Sequence, residues 1–436
     1  MLFFGIFINS MTSKIDKVFG LVDCHACYVS CERIFNPTLI GKATVVLSNN
    51  DGAVVARDDL SKKLGVKMGQ PFFEIKHLVE SKQLRVCSSN YALYQDISNR
   101  VTKVISQYVP AYEVYSIDES FIDLSGVNED LEKLCLEIKS QIYKQVGMPV
   151  GVGVGKTKTL AKLNNWASKK WKAKTGSVVV ILDDERQNKL LSFADVGEVW
   201  GCGSRTQKRL QLMGVTKAID LARYDKKSLR QMFNVNIERT ARELEGTVCF
   251  GLEESPEPKQ NIASTRMFGK RVYELLELRQ AVASYAAKAA VKLRKEGQLT
   301  SCLQVFIQTS RFDDNPYSKA TIIGLESPTD DTRELIAAAQ AGLTRIFRSG
   351  LPYAKAGIML SQFTPKAGYI PDLFAKPERR NNDRLMTLMD SINKVQGAGT
   401  LRFAIEPESS AWGMKREFLS PAYTTNWKEL LKVKIG

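Results

Sequence analysis

A chain of 436 residues has room for about three domains at ~150 residues each, and with 44% hydrophobic and 25% charged residues it has the makeup of a protein with buried cores. Its net charge of +15, spread over every segment, calls for a polyanionic partner and points to nucleic acid. No apolar run reaches the ~18 residues of a membrane span, and the eight scattered cysteines lack the spacing of a disulfide framework, so a cytoplasmic, reducing setting is expected and a membrane is not.

Taken in order, "MLFFGIFINS" is apolar but has no basic n-region and no clear cleavage site. It is read as part of an N-terminal extension over 1–18, with Met11 as an alternative start. Then come strand, helix and strand, "FGLVDCHA", "YVSCERIF" and "ATVVLSNN". "NNDG" at 49–52 signals a tight turn between apolar runs. A basic amphipathic helix is expected in 57–70, stopping at Gly65, and further helices over 91–108 and 129–146. "AYEVYSIDESFIDLSG" reads as strand, turn, strand, and "PVGVGV" as a buried strand leading into the helix "TLAKLNNWASKK". The mixture is an α+β core.

From about 185 the texture changes to short helices and glycines. In "VGEVWGCGSRTQKRLQLMGV", Gly201 and Gly203 stand between an apolar turn and a basic helix. This has the form of a helix-hairpin-helix, whose turn amides hold a DNA phosphate, with Arg205, Lys208 and Arg209 adding charge. An ordinary helical hairpin with a glycine cap is the alternative. The proline-broken "EESPEPKQN" at 253–261 is a linker. After it the pattern is β-α-β-β-α-β, with helices over 277–296 and 331–348. The remainder from about 376 has few apolar periods and reads as a tail.

Two carboxylate sites stand out. Asp23 ends the apolar strand "FGLVD", and Asp118 and Glu119 sit between "VYSI" and "FIDL". Carboxylates at the ends of buried strands are costly unless paired or metal-bound. An all-oxygen set suits Mg²⁺, and two such ions stabilise the attacking and leaving oxygens of a phosphoryl displacement. The alternative is that Asp23 caps a helix and Asp118–Glu119 form a turn. "GVGVGKTKT" imitates a P-loop, but the first glycine would have to replace Val150, which leaves the loop one residue short. A P-loop-type ATPase and a non-catalytic DNA-binding scaffold therefore stay as rival readings. Cys24, Cys27, Cys31 and His25 lie close together, but no second ligand pair with metal spacing exists, which favours buried thiols.

"LVDCHACYVSCERIFNP", "VVLSNNDGAVVARDDLSKKLGVKMGQP", "SSNYALYQDISNRV", "YSIDESFIDLSG" and "GVGVGKTKTLAKL", in this order, resemble the Y-family translesion DNA polymerases. "LSNNDG" and "WGCGSRTQKRLQLMG" resemble the UmuC-like branch, the catalytic-subunit type of bacterial DNA polymerase V, and the likeness runs from Phe19 to "SPAYTTNWKELLKVK". The resemblance implies a multidomain, right-handed Y-family polymerase fold. Its palm would take 19–46 and 87–184, the fingers 47–86, and the thumb with its helix-hairpin-helix 185–252. The β-α-β-β-α-β little finger would take 262–366, with a C-terminal tail over 367–436.

The same resemblance implies the chemistry: error-prone, template-directed transfer of a nucleotide from dNTP to a primer 3′-OH in the SOS response. Asp23, Asp118 and Glu119 become the ligands of two Mg²⁺ ions, with the Cys24 carbonyl assisting. Lys62 and Lys169 touch the incoming triphosphate. Asp59 stands where many members carry a tyrosine. Tyr28 becomes the steric gate against a 2′-OH, with Cys27 in place of a commoner aromatic. Val55 and Ala56 roof the nascent base pair, their small size implying a roomy, low-fidelity site. "YIPDLF" resembles a degraded sliding-clamp-binding peptide with Leu373 and Phe374 as anchors. The implied partners are damaged primer–template DNA, a UmuD′-like accessory dimer, a RecA-like filament on single-stranded DNA and the clamp.

Overall fold

The computed structural model describes residues 16–253, 257–370, 382–408 and 412–430. Among them the chain forms two compact units, one from 16–47, 53–253 and 418–430, the other from 48–52, 257–370, 382–408 and 412–417.

The first unit begins with β1 (Phe19–Cys24), α1 (Cys27–Phe35), β2 (Thr44–Leu47), β3 (Val54–Arg57), α2 (Asp59–Lys63), α3 (Phe72–Glu80), β4 (Arg85–Ser88) and α4 (Tyr91–Ile105). It continues through β5 (Tyr112–Val114), β6 (Glu119–Asp123), α5 (Leu131–Val146), β7 (Val150–Gly155), α6 (Lys158–Lys170), α7 (Lys172–Thr175) and β8 (Val178–Val180). Short helices follow: α8 (Asp184–Phe193), α9 (Ser204–Leu212), α10 (Ala218–Arg223), α11 (Lys226–Met232) and α12 (Val235–Leu244).

A five-stranded sheet of order β5-β6-β1-β7-β8 is the centre of this unit. β1 and β7 are buried at every residue, which explains their apolar and glycine sequence, broken only by Asp23 in β1. Leu134, Ile138 and Ile142 recur every four residues along α5 and join Ile97, Val101 and Ile105 of α4 in the core with Val22, Val152 and Val154 of the sheet. A second, three-stranded sheet of order β3-β2-β4 packs Val45, Leu47 and Val54 with Ile75 of α3. The helices α8 to α12 share a core of Leu191, Leu210, Leu221, Leu229 and Ile237.

Gly153 explains why α6 lies so close on β7. A Cβ there would overlap the backbone N of Asn165 and O of Ala161. Asn165 uses this closeness: its side-chain amide donates to the carbonyls of Gly151 at 3.0 Å and Leu21 at 3.3 Å. Gly153→Ala must push the helix off the sheet, so a loss of roughly 3 kcal/mol is expected, read as a lower denaturant midpoint. An unchanged midpoint would disprove this account of the glycine.

Three expectations differ from what is seen. The basic helix expected in 57–70 is only α2, because Arg57 still belongs to β3, Asp58 caps the helix by accepting from Ser61 N, and Gly65 turns the chain at φ 82°. The boundaries expected at 46/47 and 86/87 fall inside β2 and β4, because β2 pairs with β3 and β4 and so the small sheet spans Thr44–Ser88. The segment read as a tail with few apolar periods contains a helix, α15 below, and packed contacts further on. The turn at "NNDG" is as expected, with Asn50 and Asp51 both left-handed at φ 61° and 52°.

The second unit holds β9 (Ile262–Val272), α13 (Leu275–Lys295), β10 (Gln298–Gln308), β11 (Ser318–Thr329), α14 (Thr332–Ile346), β12 (Tyr353–Pro365) and α15 (Asn382–Gln396). The antiparallel sheet has order β11-β10-β12-β9, and α13 and α14 share its core. α15 is tied on by Arg294, whose guanidinium donates twice to Asp390, both at 2.8 Å. No helix among the described residues is long and apolar enough to cross a membrane.

Candidate active site

The end of β1 sets the site. Asp23 stands opposite Glu119, the first residue of β6, in the antiparallel register. The next residue, Cys24, donates its N–H to the carbonyl of Asp118 at 2.9 Å. Ser116 fixes the turn that precedes β6. Its hydroxyl donates to Asp118 Oδ1 at 2.6 Å and accepts from the N–H of Glu119 at 3.1 Å. The backbone thus brings the three residues predicted from two distant stretches to one end of the sheet.

Each of the two strand carboxylates is held by a lysine from α6. Lys169 Nζ lies 2.6 Å from Asp23 Oδ2, and Lys162 Nζ lies 2.7 Å from Glu119 Oε2. Burial raises the Asp23 carboxyl to about 7 against the pull of Lys169, and the Glu119 charge adds to the rise. As the side chains stand, no three His, Cys, Asp or Glu residues among the described ones converge to hold an ion. The donors nevertheless fit a hard divalent cation: they are all oxygen, they crowd negative charge at a buried strand end, and a lysine ammonium already sits on each of the paired two.

Beside the carboxylates a cleft of about 450 Å³ opens, lined by Lys62, Lys169, Arg57, Lys172, Arg33 and His25 among others. Lys62 pairs with Asp59 at 2.8 Å and holds that carboxyl below its usual range. Asp59 therefore occupies a lysine that a phosphate would compete for. Burial and then the charges of Lys172 and Lys169 lower His25 to about 4, so its imidazole faces this basic cleft neutral, and its Nε2 is buried without a hydrogen-bond partner.

Tyr28 lies half-buried in the first turn of α1, stacked on Tyr94 at 4.4 Å and 14° and edge-on to Tyr91 at 5.9 Å. Burial raises its hydroxyl to about 12. Val55 is the bulged residue of β3, since Val46 pairs with Ala56 and Leu47 with Val54. Val55 rests half-buried against the main core that Ala56 joins. Cys24, Cys27 and Cys31 are buried free thiols in that same core.

Elsewhere in this unit Gly201 turns the chain at φ 86° and Gly203 caps α9, on which Arg205 and Lys208 are exposed. The third basic residue there, Arg209, is engaged instead: it donates to the Met232 carbonyl at 2.7 Å and stacks on Phe233. Leu373 and Phe374 lie outside the described residues. Sequence reasoning missed Lys162, Arg57, Arg33 and Lys172, and weighed His25 only as a metal ligand beside the cysteines. Lys162 carried a signal, standing seven residues before Lys169 and so on the same helix face. The others are gathered only by the tertiary fold.

The impB/mucB/samB family matches residues 22–165, its C-terminal domain matches 259–373, and a domain of unknown function, DUF4113, matches 383–433. The chain is 44% identical to Protein UmuC of Salmonella typhimurium, over 96% of this chain and 100% of that protein. It is 43% identical to Protein MucB of Escherichia coli, over 95% and 99%. Among solved structures, a Y-family DNA polymerase chimera of Dbh and Dpo4 shares the fold at a TM-score of 0.61 and 21% identity, over 79% of this chain and 98% of that one. The chain therefore belongs to the impB/mucB/samB family, in its UmuC-type branch, has the fold of the Y-family polymerases, and is an error-prone, DNA-directed DNA polymerase of translesion synthesis.

Proposed function

We propose that this polymerase joins a dNTP to a primer 3′-OH at the end of β1. Lys169 carries the reading, because one side chain both pairs with Asp23 and lines the basic cleft that contains Lys62. A triphosphate seated in that cleft places its reacting end beside the carboxylates. Asp23, Asp118 and Glu119, with the Cys24 carbonyl, would hold two Mg²⁺ ions. Bound there, such ions neutralise the triphosphate and stabilise the attacking and leaving oxygens. Lys62, Lys169, Arg57 and Lys172 bind and orient the phosphates, and Lys169 exchanges its carboxylate partner for them.

Tyr28 serves as the floor under the sugar, and Val55 and Ala56 as a small-residue roof over the base pair. The five-stranded sheet is the palm, the small sheet the fingers and α8–α12 the thumb, with the second unit's sheet as little finger. Gly201, Gly203, Arg205 and Lys208 grip a DNA phosphate. Membership of the UmuC-type branch supports damaged primer–template in the cytoplasm as substrate, and an accessory UmuD′-like dimer, a RecA-like filament and the sliding clamp as partners, the last through Leu373 and Phe374.

Tyr28→Ala tests the gate. Removing the ring opens room for a 2′-OH, so ribonucleotide incorporation should rise by about 10²-fold relative to dNTP in single-nucleotide insertion assays. An unchanged ratio would remove Tyr28 from this role.

A further inference from the structure

The C-terminal residues 418–430 belong to the same unit as the catalytic carboxylates and are held at three places. Phe418 accepts from Ser88 N at 2.9 Å, donates its own N–H to Ser88 Oγ at 3.0 Å, and sets its ring on Phe72. Tyr423, only 8% exposed, stacks on Phe35 at 4.9 Å and 8°. Between them the Ser420 hydroxyl donates to Glu32 Oε1 at 3.1 Å and accepts from the Asn90 amide at 3.0 Å.

Glu32 is 1% exposed, and its Oε1 also accepts the Tyr94 hydroxyl at 2.7 Å. Tyr94 in turn carries the Tyr28 ring in a face-to-face stack. Asn90 adds a second link, since its Oδ1 caps α4, the helix on which Tyr94 rides. An unbroken chain of contacts therefore runs from Ser420 through Glu32 and Tyr94 to Tyr28. A buried carboxyl group with two hydroxyl donors is a rigid joint, because losing either donor leaves a lone pair of the 1% exposed Glu32 unmatched.

We propose that the C-terminal strap 418–430 positions the steric gate through Ser420, Glu32 and Tyr94, and so sets how strictly dNTP is chosen over rNTP. Ser420, Glu32 and Tyr94 are positioning residues. The strap is the last part of the DUF4113 match, to which this gives a task. The inference rests on the gate reading of Tyr28.

The test uses the full chain with primer–template, comparing Ser420→Ala, Ser420→Thr, Tyr94→Phe and Tyr28→Ala. The readouts are the ratio of kcat/KM for dNTP over rNTP and the melting temperature of each protein. Ser420→Ala and Tyr94→Phe should each lower the ratio by ~3–10-fold, the worth of one hydrogen bond, and Ser420→Thr should retain it. Tyr28→Ala should lower the ratio further. If Tyr28→Ala loses selection while Ser420→Ala and Tyr94→Phe keep the wild-type ratio, whatever their melting temperatures, the strap only packs and the inference fails. If Tyr28→Ala keeps the ratio, the gate reading itself fails and the inference with it. Tyr94→Phe deletes one oxygen from a stacked ring, so it keeps the test decisive should Ser420→Ala not fold.

Discussion

Asp118→Ala should lower primer extension by ~10³-fold or more while leaving primer–template binding intact. A carboxylate that holds a catalytic cation contributes several kcal/mol to the transition state, and each 1.36 kcal/mol is tenfold in rate. The turn should survive the change. The backbone N–H groups of Tyr115 and Ser116 both donate to the Glu119 carbonyl, at 3.1 and 3.0 Å, and Cys24 N–H bonds the Asp118 carbonyl, not its side chain. The measurement is extension across an abasic template with Mg²⁺, dNTPs, the accessory dimer and a recombinase filament, beside a binding assay with the same DNA. Full extension by the variant would overturn the carboxylate assignment. Failure of the wild type to extend DNA that both proteins bind would favour a scaffold.

The three candidate carboxylates stood out in the sequence because they break a pattern. Asp23 and Asp118–Glu119 are charges at the ends of apolar runs that otherwise read as buried strands, and both runs are central strands. The β-α-β-β-α-β unit was legible for a related reason: its periods switch between 2 and 3.6 with turn residues between them. The basic cleft was only half legible. Lys62 and Lys169 came from the family likeness, whereas Arg57, Lys172 and Arg33 reach the same cavity from a strand end, a four-residue helix and α1. No local spacing relates those positions. The strap was legible only as the last stretch of the family likeness, and its packing not at all. Phe418, Ser420 and Tyr423 have no helical or strand period, and each finds its own pocket formed by residues more than 300 positions earlier. The tail reading followed from that lack of period.

The P-loop-like stretch shows what a sequence imitation becomes when its helix end is already filled. Thr157 caps α6 and donates its hydroxyl to the Glu243 carbonyl at 2.9 Å. The Glu243 carboxylate accepts from Thr159 N at 2.9 Å and Thr159 Oγ1 at 2.7 Å. Its other oxygen accepts from the N–H groups of Cys249 and Phe250 at 3.0 and 2.9 Å. Lys156, the residue a P-loop would send to phosphate, pairs with Asp184 at 2.6 Å. An anion does sit at this helix N-terminus, but it is the protein's own side chain.

Glu243 is fully buried, so Glu243→Ala strands the N–H and hydroxyl of buried Thr159 and frees the half-buried N–H groups of Cys249 and Phe250. The expected cost is ~3–5 kcal/mol, read as a shift of the urea midpoint. Glu243→Gln should fall between, since one carboxamide end turns donors toward donors. The loss should also reach the chemistry. α6 delivers Lys162 and Lys169 to the carboxylates, so a frayed first turn loosens the register of both, and KM for dNTP should rise at urea concentrations where the fold persists. An unshifted midpoint in Glu243→Ala would mean that the helix end does not depend on this cap. ATP hydrolysis by the wild type without primer, abolished by Lys156→Ala, would return the stretch to the P-loop reading.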